Sequence, residues 1–114
     1  MFKVNVKEKN QITIIQIIGA FYIDSLSQIE AVWKEQIAKK PETIGIDCTE
    51  LVQIDSAAIG HMVKYLNSAI NNDINMIFYN LNIEIQKLFD KTKLNHFFSI
   101  ITKDEFEKEY LTCV

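Results

Sequence analysis

Asp55 and Ser56 are the pair in this chain whose residue types and placement could do chemistry. They stand in the run Ile54-Asp55-Ser56-Ala57-Ala58-Ile59-Gly60, just ahead of a stretch with Ile59, Met62, Val63, Leu66 and Ile70 on one helical face. An Asp-Ser step before such a stretch is a helix start. The serine hydroxyl then lies beside first-turn backbone N–H groups that have no partner within the helix. Those groups and the helix dipole both favour negative charge. A phosphate on Ser56 would place a near-dianion with strong acceptor oxygens on a surface corner. The chemistry suggested is reversible modification of a hydroxyl. Capping the helix is the plainer role for Asp and Ser here, and the two roles are compatible: Asp55 caps while Ser56 is modified.

No second constellation competes with this one. His61 follows Ser56 on the same helix, at a spacing that does not make a nucleophile–base pair, and His96 precedes a strand. Neither has a Cys or Glu at ligand spacing, so no metal site is expected, and no cofactor is implied. The three glycines, at 19, 45 and 60, are too scattered to form a phosphate-cradling loop. Trp33 recurs with Ile29 and Ile37 and reads as core. Asp104, Glu105, Glu107, Lys108 and Glu109 read as a solvated helix face with acids near its start. Phe21 and Tyr22 are candidates for an exposed aromatic pair. Phe21 more simply covers the edge of the core, whereas Tyr22 stays open between the two.

Periodicity supplies the elements that must position the Asp-Ser step. Residues Phe2 to Lys7 alternate apolar and polar, as an edge strand does, and Lys9-Asn10-Gln11 makes a turn. Ile12 to Ile18 is almost wholly apolar, which suits a central strand ended by Gly19. Asp24 or Ser25 can cap a helix carrying Leu26, Ile29, Trp33 and Ile37, closed by Lys39-Lys40-Pro41. Thr43 to Cys48 is a third strand, followed by the Ser56 helix, which ends at Asn71-Asn72-Asp73. Ile74 to Tyr79 is a fourth strand, and Asn82 caps a short helix with Ile85, Leu88 and Phe89. Phe97 to Ile101 is a fifth strand, and Asp104 opens a last short helix through Phe106 and Tyr110.

The expected order is β-β-α-β-α-β-α-β-α. A short turn makes the first strand pair antiparallel, and helical crossovers make the later pairs parallel. The fold class is α/β: one mixed sheet, mostly parallel beyond its first strand, with about four flanking helices.

Composition narrows the function classes. A chain of 114 residues, 48% hydrophobic and 24% charged, fits one globular domain spanning 1–114. A formal net charge of −3 argues against a nucleic-acid surface. Cys48 and Cys113 do not make a disulfide framework and read as reduced thiols of a cytoplasmic protein. The N-terminal residues lack the apolar run of a signal peptide, and Ile12 to Phe21 is too short to span a bilayer, so no membrane insertion is expected.

This element order, with glycine closing the second strand and Asp-Ser entering the second helix, resembles the STAS domain family, and in particular its single-domain anti-sigma factor antagonists. Asp55, Ser56 and Gly60 match the family's Asp-Ser-[Ser/Thr]-Gly-Leu-Gly loop, with Ile59 a conservative replacement. Ile85 to Leu94 looks like the family's third helix and the turn after it. The resemblance implies a phosphorylation-switched binding module. The unmodified protein would bind an anti-sigma factor that is also a serine kinase and so free a sigma factor. Phosphorylation of Ser56 would end that complex, and a phosphatase would reset it. Asp55, Ser56, Ala57 and Ala58 would form the partner-binding end of the helix, together with Phe21, Tyr22 and Asp24 from the nearby loop. An enzyme is not implied.

Two departures stand out. Ala58 occupies the family's usual glycine position, and Ala20 and Tyr22 replace two acidic residues after Gly19. The missing acids at Ala20 and Tyr22 keep a second expectation open, a STAS-type accessory subunit of a transporter ATPase without a phosphorylation cycle.

Overall fold

The computed structural model describes residues 2–111. Strands β1 (Lys3–Lys9) and β2 (Ile12–Phe21) lead through a tight helical turn at Ile23–Ser25 into helix α1 (Leu26–Ala38). Strands β3 (Thr43–Asp47) and β4 (Leu51–Ile54) precede helix α2 (Ser56–Asn71). Strand β5 (Asn75–Tyr79) and helix α3 (Ile83–Lys91) follow. A tight turn at Leu94–His96 leads to strand β6 (Ser99–Ile101), and helix α4 (Lys103–Phe106) runs into a wider turn at Glu107–Leu111.

The six strands form one mixed sheet with the spatial order β1-β2-β3-β5-β6, and β4 pairs with β2 off this path. β1 and β2 are antiparallel, and every other pair is parallel. This is the expected α/β class, with four helices among the described residues. Register puts Ile15 beside Ile46, Ile46 beside Phe78 and Phe78 beside Ile100, so one apolar row crosses the sheet. Helices α1, α2 and α3 bury that face through Ile29, Trp33, Met62, Tyr65, Ile85 and Phe89. Trp33 is core, as expected, and stacks on Tyr65 at 4.8 Å between ring centroids.

On the opposite face the neighbouring register row is Ile14, Gly45 and Ile77. Here Phe106 of α4 stacks on Tyr79 at 4.2 Å, with Tyr110 beyond it. Gly45 makes this docking possible: a Cβ at that position would lie 2.6 Å from Phe106 Cζ.

The structure differs from the sequence expectation at several element ends. β2 does not stop at Gly19. It runs on to Phe21, because β4 supplies a partner for its last residues, with a register shift between Gly19 and Ala20. β4 is a strand that periodicity misses, being only four residues long and paired with a distant segment. Neither Asp24 nor Ser25 caps α1 through its side chain: Asp24 sits inside the tight turn, and Ser25, the flanking residue, makes no capping bond. The last strand starts at Ser99 instead of Phe97. α4 is capped by Thr102, whose hydroxyl accepts from Glu105 N while the Glu105 carboxylate accepts from Thr102 N. Cys48 is fully buried, and burial pushes its thiol well above the ordinary range; Cys113 lies outside the described residues. Among the described residues no helix is long and apolar enough to cross a membrane.

Candidate functional site

Ser56 is the first residue of α2, and it is exposed. Asp55 is the cap in extended backbone, and its Oδ1 accepts from Ala58 N at 2.8 Å. Ile59 N donates to the Asp55 carbonyl at 3.1 Å. The N–H groups of Ser56 and Ala57 have no hydrogen-bond partner among the described residues. Unpaired donors at a helix start beside an exposed hydroxyl make a place where added negative charge is stabilised.

The second carboxylate oxygen of Asp55 reaches across the chain. Oδ2 accepts from Ile23 N at 2.9 Å, which ties the turn after β2 to the entry of α2. The Asp55 N–H donates to the Phe21 carbonyl at 3.3 Å, and the Tyr22 hydroxyl donates to the Gln53 side-chain carbonyl. The structure thus brings together the Phe21–Asp24 loop and the Asp55–Ala58 helix end that the sequence placed far apart.

Individual residues sort by burial. Ser56 and Asp24 are exposed, and Asp55, Ala57 and Tyr22 are half-buried. Phe21 is fully buried against Phe2 and the core, so its side chain faces inward. Ala58 is helical and fully buried. Its methyl group is therefore core packing, and it adds no bulk to the face around Ser56. Gly60 is exposed, with open space where a Cβ would stand. His61 lies away from this corner: its Nε2 is 3.9 Å from Glu30 of α1, and its ring meets Tyr65 edge-on. Glu30 also accepts from Lys64 at 2.9 Å, a bond that holds its carboxyl below the usual carboxylate range.

Ile70, expected on the apolar face of α2, is exposed near that helix's end, because the buried face is Ala58, Met62, Tyr65 and Ala69. Three further exposed apolar side chains went unmarked by the sequence. Ile23 is 67% exposed and Val52 63%, and Ile83 is also exposed. These three sit on segments tied to the site. Ile23 is bonded to Asp55, Val52 belongs to the strand feeding it, and Ile83 follows Asn82, whose amide donates to the Leu51 and Val52 carbonyls. Strict alternation would put Val52 on the face of buried Ile54. It is exposed because it is the extra residue at the register shift, where Leu51 pairs with Gly19 and Gln53 with Ala20.

The family model of the STAS domain matches residues 3–108, and the chain belongs to this family. No curated protein matches the sequence. Solved structures are similar in fold. An anti-sigma factor antagonist from Mycobacterium paratuberculosis superposes with a TM-score of 0.82 at 12% identity, with 92% of this chain and 90% of that one covered. A Thermotoga maritima protein assigned as an anti-sigma factor antagonist gives 0.84 at 19% identity, with 93% and 92% covered. The unphosphorylated anti-sigma factor antagonist SpoIIAA gives 0.72 at 16% identity, with 99% and 100% covered. The Bacillus SpoIIAA has also been solved in its phosphorylated form, with a TM-score of 0.70 at 18% identity, covering 95% and 97%.

Proposed function

We propose that this protein is an anti-sigma factor antagonist switched by phosphorylation of Ser56 in the cytoplasm. The observation that carries the reading is the placement of Ser56: exposed, first in α2, and held by the Asp55 clamp beside two unpaired N–H groups. Similarity in fold to anti-sigma factor antagonists supports it, as does the existence of a phosphorylated form of SpoIIAA.

In this reading the unmodified protein binds an anti-sigma factor that is also a serine kinase, through the α2 end and the Tyr22–Asp24 segment. A phosphate on Ser56 leaves the fold intact, because the helix start stabilises the charge. It ends the complex, because a near-dianion in a fitted interface loses its water without gaining a counter-charge. Its position next to the Asp55 carboxylate adds like-charge repulsion at the clamp. A phosphatase then restores the binding form.

The test is incubation with the cognate kinase and ATP, followed by mass spectrometry and a binding titration. Ser56 takes one phosphate, Ser56→Ala binds constitutively, and Ser56→Asp binds more weakly than the parent. If Ser56 stays unmodified while the partner binds normally, the phosphoswitch is wrong, and an accessory module of a transporter ATPase becomes the better reading.

A further inference from the structure

A concave site that does not include Ser56 lies at the carboxyl ends of β5 and β6. It is a cleft of about 380 Å³ walled by Asn80, Gln86, Asn95, Thr102 and Glu105. Leu81 and the buried Phe98 contribute its apolar lining. That volume falls within the size class of small-molecule clefts, roughly 300–1,000 Å³.

The hydrogen-bonding groups here are under-used. The side-chain amides of Gln86 and Asn95 have no partner among the described residues, although Gln86 is half-buried. Asn80 adopts a left-handed backbone, φ 63°, with its N–H donating to the Ile101 carbonyl and its side-chain N–H to Thr49 Oγ1 at 2.9 Å. Its amide oxygen is left without a partner among the described residues. Thr102 and Glu105 lock each other in the α4 cap, which occupies Glu105 Oε1 and leaves its second oxygen.

The charge of the lining selects the ligand. Among the described residues no Lys, Arg or His lines the cleft, and the one ionisable side chain lining it is the Glu105 carboxylate. A phosphate or carboxylate would meet repulsion with no cation to offset it. Each side-chain amide offers both donors and an acceptor, so it suits a molecule with adjacent donor and acceptor atoms. We propose that this cleft binds an uncharged ring compound with hydroxyl or amide edges, a sugar or a nucleoside lacking phosphate. The inference is independent of the switch at Ser56, since the two sites share no residue.

The experiment is an amide-resolved NMR titration of the full chain with three probes: adenosine, methyl glucoside and adenosine monophosphate. At least one of the two neutral rings gives saturable shifts at Asn80, Gln86, Asn95 and Thr102, and adenosine monophosphate binds more weakly than adenosine. Which neutral ring saturates identifies the class. Gln86→Ala and Asn95→Ala, whose spectra stay dispersed, weaken the response by about tenfold, a change of ~1.4 kcal/mol. The proposal is overturned if neither neutral ring saturates at concentrations on the order of 10 mM. It is equally overturned if both variants bind like the parent, or if adenosine monophosphate binds most tightly.

Discussion

The Asp55 carboxylate joins two parts of the chain 32 positions apart, accepting from Ile23 N through Oδ2 while Oδ1 holds Ala58 N. One side chain therefore caps α2 and anchors the turn that leads into α1. Asp55→Ala removes both bonds and costs about 1 kcal/mol for the cap alone. Asp55→Asn, with a single acceptor oxygen, keeps one bond and loses the other. Hydrogen exchange at the Ile23 and Ala58 amides reads the two outcomes separately. If Ile23 exchange is unchanged in both variants, the clamp does not hold the turn.

Tyr22 is bonded to Gln53 and adjoins the clamp, so it is placed to contribute to a partner surface. Tyr22→Ala is expected to weaken partner binding by about 1 kcal/mol or more. Lys108→Ala, in the C-terminal turn, is the control and changes it little. Equal effects in a titration with the proposed anti-sigma factor would remove this loop from the interface.

Gly45 allows α4 to lie on the sheet, since an added Cβ would meet the Phe106 ring at 2.6 Å. Gly45→Ala is expected to destabilise the fold by roughly 1–3 kcal/mol through overpacking. The same change in a Phe106→Leu background costs less, because the clashing ring edge is gone. Urea unfolding of the four proteins measures the coupling, and strict additivity would show that Phe106 does not sense position 45.

Burial pushes the phenols of Tyr65 and Tyr79 well above their ordinary range, with the Glu30 carboxylate adding to the effect at Tyr65 and Asp47 at Tyr79. The folded state therefore holds these protons more tightly than the unfolded chain. The stability they contribute is full below the ordinary phenol pKa and falls as pH rises past it. A spectrophotometric titration should show these two tyrosines still protonated after an unfolded reference has ionised. Their release should coincide with loss of structure as followed by circular dichroism. Ionisation of all tyrosines in one early step, with the fold intact, would refute their burial.

The sequence by itself determined the order of the main elements and the position of Ser56. Both rest on local physics: alternation from Phe2 to Lys7, helical spacing after Ser56, and the preference of an aspartate for a helix start. Tertiary structure alone decided what depends on partners distant in the chain. β2 continues past Gly19, and β4 exists as a strand, because each completes the other's hydrogen bonds. Ala58 turns inward with Met62, Tyr65 and Ala69, a face at helical spacing that the larger Ile59, Val63, Leu66 and Ile70 obscure in the sequence, and packing on the sheet decided between them. The reach of Asp55 to Ile23 and the amide-lined cleft between α3 and α4 arise when remote segments meet, and no spacing within a single element encodes either.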